Sequence, residues 1–283
     1  MVESASDPHE LFNGLPSRRL TLSNGDSLTV VQQGAQVVSW VSAGRERLYL
    51  SPCNGYDGHT PIRGGVPICF PQFNQRGSLP KHGFVRNLSW QMDDSSPCSE
   101  KEAQLTLRLA ANADTQALWP ASFELALHLH LQPGQLLITL ALRNTGAELL
   151  SFTGALHTYL AVSDIATTQL VGLEGQAEWD AVADVHGHAE SSLRFTGEFD
   201  RVYSAAPPAL TLQDALGTLS IEQSSSFANT VVWNPGAQKG AALVDMPKEG
   251  YRDMLCVEAA QVMQPIVVKA GEAWLGWQRL SVL

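Results

Sequence analysis

Beyond a polar opening stretch of roughly 17 residues, apolar and polar positions alternate in short runs along the chain. A period of two puts successive side chains on opposite faces, the mark of a half-buried strand. Leu20–Leu22 and Leu28-Val30-Gln32 flank Asn24-Gly25, a pair that tolerates the positive φ of a type I′ turn, so this segment predicts a hairpin. Further strands are predicted at Val37–Val41, Gln104–Leu109, Phe123–Leu131 and Leu136–Leu142, the last two joined by Gln132-Pro133-Gly134-Gln135. The pattern continues through Leu149–Val162, Leu210–Leu212, Leu219–Glu222, Thr230–Trp233, Ile266–Val268 and Trp274–Val282. Helical periodicity is confined to short turns near Ala113–Leu118 and Glu178–Ala183. Many short strands with turn signals at about eight-to-twelve-residue spacing predict an all-β antiparallel sandwich or barrel. No propeller-like repeat and no Pro/Ser linker divides the chain, so residues 18–283 are expected as one domain behind a lead-in at 1–17.

Composition narrows the function classes. Charged residues make up 16% of the 283, below the ~25% of ordinary domains, while seven Trp and 23 Gly argue against disorder. The net charge of −10 excludes a general nucleic-acid binder, which needs a basic stripe; an anion would require a local cluster of Arg and Lys. The longest uncharged stretches, Ser27–Gly44 and Leu149–Ser163, are too polar for a membrane span, and the acidic N-terminus does not look like a secretory signal. Cys53, Cys69, Cys98 and Cys256 form no CxxC pair, so free thiols and a cytoplasmic location are expected.

Four segments could carry chemistry. Arg63–Trp90 gathers three Arg, Lys81 and His82 among Gly and Pro. Arg63, Lys81 and Arg86 could converge on a phosphate, with Gly64-Gly65 letting backbone approach the ligand; a solvated loop is the alternative. In Ser151–Val162, read as a strand, His157 shares a face with Thr153, Ala155, Tyr159 and Ala161, as on a cleft floor or at the edge of the core. Glu258 is the carboxylate within the apolar run Met254–Ala260, where burial would raise its pKa and suit it as a base, unless it pairs with a structural Arg. The pairs His128/His130 and His186/His188 have HxH spacing but no third ligand at persuasive spacing, so no metal is expected.

IRGGVPICFPQF (Ile62–Phe73), KHGFVRN (Lys81–Asn87), LHTYLAVSDI (Leu156–Ile165), FDRVY (Phe199–Tyr203), VVWNP (Val231–Pro235) and MLCVEAA (Met254–Ala260) occur in that order. Together they resemble the aldose 1-epimerase superfamily, and within it the glucose-6-phosphate 1-epimerase branch. The resemblance implies a large antiparallel β-sandwich of the galactose-mutarotase type, with the substrate on its concave face and no cofactor. It implies His157 as general acid and Glu258 as general base. Asp200 and His82 are implied to hold sugar hydroxyls, and Arg63, Lys81 and Arg86 to surround a phosphate. The galactose-mutarotase branch carries Asn before its catalytic His, where this chain has Leu156, and many relatives have Gln in place of Lys81. The expected partner is a small-molecule sugar phosphate, acted on by a monomer. A non-catalytic carbohydrate-binding protein and a mutarotase of unphosphorylated aldoses are the alternatives.

Overall fold

A computed structural model describes residues 10–93, 97–204 and 209–283; the first nine residues of the lead-in lie outside them. Two large antiparallel sheets face one another. One runs, in spatial order, through Leu193–Arg194, Gln169–Val171, Leu210–Asp214, Gly217–Gln223, Ala273–Val282, Gln135–Asn144, Phe123–Gln132, Ala103–Ala110 and Gln91–Asp93. The other runs through Val185–His188, Ala177–Asp180, Phe199–Ser204, Asn229–Asn234, Met254–Val268, Leu150–Leu156 and Ile68–Cys69, with Tyr159–Ala161 also on Met254–Val268. A five-stranded sheet, Leu11–Phe12 to Arg45–Glu46 in chain order, completes the fold.

The alternation read from the sequence assigns the faces. Leu125, Leu127, Leu129 and Leu131 point inward from one strand and Leu136, Ile138, Leu140 and Leu142 from its partner. They meet Phe152, Leu156, Val232, Leu255, Val257 and Ala259 of the facing sheet. Each such side chain contributes about 1.5–3 kcal/mol when fully buried. The other face of the second sheet carries what these positions leave over: Asp200, Val231, Trp233, Cys256 and Glu258. This face holds the site.

Several local expectations are corrected. The Asn24-Gly25 turn is not type I′: only Gly25 has positive φ (+88°), and Thr21 pairs with Ser27 across a five-residue connection. Gly25 N–H donates to the Leu22 carbonyl and Asn24 Oδ1 accepts from Asp26 N–H, so Asn24 acts through its side chain. Glu178–Ala183 is not helical. Ala177–Asp180 is a strand, and Asp180 Oδ1 takes the Val182 and Ala183 N–H groups, diverting them from helix formation. Ala113–Leu118 is a helix closed by an Asn112/Thr115 capping box. A second helix, Gly236–Ala242, was not predicted; with two glycines in seven residues it has no readable periodicity. The lead-in is strand from Leu11 and again from Leu15. Leu149–Val162 is two strands, broken at His157-Thr158.

Candidate active site

The break in that last run places the histidine. Leu156 pairs with Ala259 and Tyr159 with Cys256, so His157 stands opposite Glu258 and Thr158 opposite Val257. The His157 and Tyr159 N–H groups turn away to the carbonyls of Pro67 and Gly65. His157 Nδ1 lies 3.4 Å from Glu258 Oε1, with the two side chains 9% and 1% exposed. The imidazole stacks on Tyr159, centroids 4.8 Å apart, and meets Trp233 edge-on.

Burial sets the proton balance of this pair. It pushes the Glu258 carboxyl well above the usual carboxylate range, with the Asp200 charge adding to the effect. It also pulls His157 down to about 3, helped by the positive charges of Arg86 and Arg63. Burial thus favours the neutral form of both groups, the carboxyl at Glu258 and the imidazole at His157. His157 Nδ1, Glu258 Oε2 and Arg86 Nε are buried without a hydrogen-bond partner among the described residues.

His82 completes the floor. Its Nδ1 accepts from the Asn74 backbone N–H at 3.2 Å and lies 3.2 Å from Cys69 Sγ. Nε2 then carries the ring proton, and desolvation with the adjacent His157 holds the ring neutral. Its centroid is 5.3 Å from that of His157. Asp200, raised by burial, projects from Phe199–Ser204 on the same face.

One pocket brings together His157, Glu258, Arg63, Lys81, His82, Arg86 and Asp200, all seven residues singled out in the sequence. Arg63 is fixed rather than free: Nε donates to Asp245 Oδ1 at 2.7 Å and Nη1 to the Tyr159 hydroxyl at 3.3 Å. Arg86 donates to the Lys81 carbonyl at 2.9 Å. Partial burial, with Lys239, Arg63 and Arg86 nearby, pulls the Lys81 ammonium down. Gly64 and Gly65 have positive φ (+112° and +61°), but their missing side chains make room for the Tyr49 and Val37 carbonyls, not for a ligand. Sequence reasoning missed Tyr159, Trp233, Lys239 and Asp245. Tyr159 was within reach, being two residues from His157 on the same face. Lys239 was not, because its helix was invisible.

His157, Cys256 and Glu258 also have ligand atoms within 4.8 Å of one another. Burial pushes the Cys256 thiol up. Of the HxH histidines, His128 Nδ1 is 3.0 Å from Thr106 Oγ1, His130 Nε2 is 3.0 Å from Glu102 Oε2, and His186 stacks on Trp179.

A family model described as aldose 1-epimerase matches residues 18–281. The chain belongs to this family. It is an isomerase-class epimerase that interconverts the anomers of a small-molecule sugar. It is 37% identical over 263 residues to a Cenchrus ciliaris protein named "Putative glucose-6-phosphate 1-epimerase", covering 88% of this chain and 79% of that one. An Escherichia coli K12 protein of the same name is 35% identical over 235 residues, 81% and 77% of the two chains. A crystal structure described as a putative mutarotase, YeaD from Salmonella typhimurium, is 30% identical with a TM-score of 0.83, covering 97% and 95%. Slr1438 from Synechocystis, at 22% identity and a TM-score of 0.81 over 99% of each chain, shares the fold. No helix among the described residues is long and apolar enough to cross a membrane.

Proposed function

We propose that this epimerase interconverts the α and β anomers of a hexose 6-phosphate, glucose 6-phosphate in the first instance. Glu258 takes the proton from the C1 hydroxyl while His157 gives one to the ring oxygen. The ring opens to the aldehyde, the C1–C2 bond rotates by about half a turn, and closure on the other face reverses both transfers. His82, through Nε2–H, and Asp200 hold sugar hydroxyls. The observation that carries this reading is a buried His–Glu pair 3.4 Å apart beside four cations, Arg63, Lys81, Arg86 and Lys239, in a chain of net charge −10.

The two halves of the pocket are coupled by charge. Beyond burial, Arg86 and Arg63 help hold His157 neutral. A bound phosphate offsets those charges, and a sugar hydroxyl donating to Glu258 favours its carboxylate. Both changes favour a carboxylate at Glu258 and an imidazolium at His157, the arrangement that ring opening uses. The same names on the Cenchrus and E. coli relatives support the choice of phosphate ester.

Two-dimensional exchange NMR of anomer interconversion, with glucose 6-phosphate and glucose at matched enzyme concentration, tests the proposal. Fast exchange of the phosphate ester alone is expected. Equal acceleration of both sugars would remove the phosphate from the reading, and acceleration of neither would leave a carbohydrate-binding protein.

A further inference from the structure

The apolar core between the sheets is crossed by one buried amide directly behind the catalytic pair. Gln278 belongs to Ala273–Val282 in the nine-stranded sheet, in the inward row Gly276–Gln278–Leu280, and is fully buried. Its Oε1 accepts from the Thr158 hydroxyl at 2.5 Å, and its Nε2 donates to the Val257 carbonyl at 2.9 Å. The orientation of the amide is forced, since a carbonyl can only accept. Thr158 is likewise fully buried, and its own carbonyl accepts from Val257 N–H at 3.1 Å. One side chain from the far sheet thus grips the chain neighbours of both His157 and Glu258, where the strand carrying His157 is broken.

We propose that Gln278 is a positioning residue for anomer exchange. Its amide holds Thr158 and Val257 together so that the His157 and Glu258 side chains keep their working separation on the other face. The cation end of the pocket has supports the clamp does not touch, Asp245 for Arg63 and the Lys81 carbonyl for Arg86. Loss of the Gln278 bonds should therefore act on proton transfer and spare substrate capture. This inference rests on the assignment of His157 and Glu258 above.

The test compares Gln278→Leu, Thr158→Val and Thr158→Ser with wild type, normalised to folded protein. Gln278→Leu is expected to lower kcat roughly tenfold to a hundredfold, the scale of an ångström-sized misplacement of reacting groups, with KM within about twofold. Thr158→Val keeps the side-chain shape and loses the hydroxyl, so it should also lose kcat. Thr158→Ser keeps the hydroxyl and loses a buried methyl; it should retain kcat and melt lower. A packing role predicts the opposite order. The imidazole nitrogen shifts of His157 should move in Gln278→Leu and Thr158→Val and stay in Thr158→Ser. Wild-type kcat in folded Gln278→Leu, while His157→Ala and Glu258→Gln are inactive, would overturn this inference alone. Activity surviving in those two variants would overturn the assignment beneath it, and this inference with it.

Discussion

On the outward face of the nine-stranded sheet, His128 and His130 are half-buried beside Thr106 and Glu102, and partial burial next to Arg108 lowers His128. In the pocket on the eight-stranded sheet, His157 at the strand break and His82 on a covering loop are 7% exposed each and crowd one another. The residue type is the same but the setting is not: one pair stands on a regular strand, the other at a strand break and on a loop. The loops bearing Arg63 and Lys81–Arg86 cover the second site, so desolvation and positive charge act on its rings much more strongly than on His128. A histidine becomes chemically useful through what covers it.

Mutation should separate the two faces most strongly in activity. His157→Ala and Glu258→Gln are each expected to remove ~10²–10⁴-fold of exchange, and the double variant little more than either alone, since the two act as a unit. His128→Ala and His130→Ala should stay within about twofold of wild type. Exchange NMR measures all five proteins, and a strong loss at His128 would break the comparison.

Next in size is the substrate dependence. Arg86→Ala should cost glucose 6-phosphate ~1.5–3 kcal/mol in kcat/KM, the worth of a charge-assisted hydrogen bond, and cost glucose much less. Raising the salt concentration should weaken the phosphate ester selectively. Equal losses for both sugars would detach the cations from the phosphate.

The pH dependence of stability sharpens the same contrast. Burial raises Glu258, so above the unfolded value near 4.5 the native state keeps a proton the unfolded chain has lost, and stability falls as pH rises. His157 is depressed from 6.5 to about 3, so between those values the unfolded chain binds the extra proton and stability falls as pH drops. Glu258→Gln should therefore gain melting temperature over wild type toward alkaline pH. His157→Gln should gain between pH 6.5 and 3, where His82 keeps part of the acid sensitivity. Shifts of several degrees are expected, at ~2–4 °C per kcal/mol for chains near this size. The smallest effect belongs to the exposed pair: Glu102→Gln should change stability by about 0.5 kcal/mol or less.

The strands were legible because leucines at every second position of Phe123–Leu131 and Leu136–Leu142 answer to one physical cause, a sheet with one buried face. The turns and short helices depend on single side chains instead. Asp180 captures two N–H groups and Asn24 one, which period-two counting does not register. The candidate residues His157, Glu258 and Asp200 were visible from segment resemblance, and their convergence follows from the register His157 opposite Glu258. Lys239 and Asp245 lay outside any pattern, since they reach the pocket through a helix and loop whose path the sheet alone does not dictate. The close approach at Gly64-Gly65 was anticipated, but the approaching groups are the protein's own carbonyls.

The strand order also sets when the enzyme comes into being. Met254–Val268 lies between Asn229–Asn234 and Leu150–Leu156, and Ala273–Val282 lies between Gly217–Gln223 and Gln135–Asn144. Both large sheets are thus joined at the middle by strands that leave the ribosome after all their neighbours. Until then each sheet waits in two halves with open hydrogen-bonding edges, the form most exposed to aggregation and to chaperone capture. Glu258 meets His157 only when the first of these strands slots in, and the Gln278 clamp closes only with the second. The site is thus assembled late and in two steps, the pair with the first of these strands and its clamp with the second.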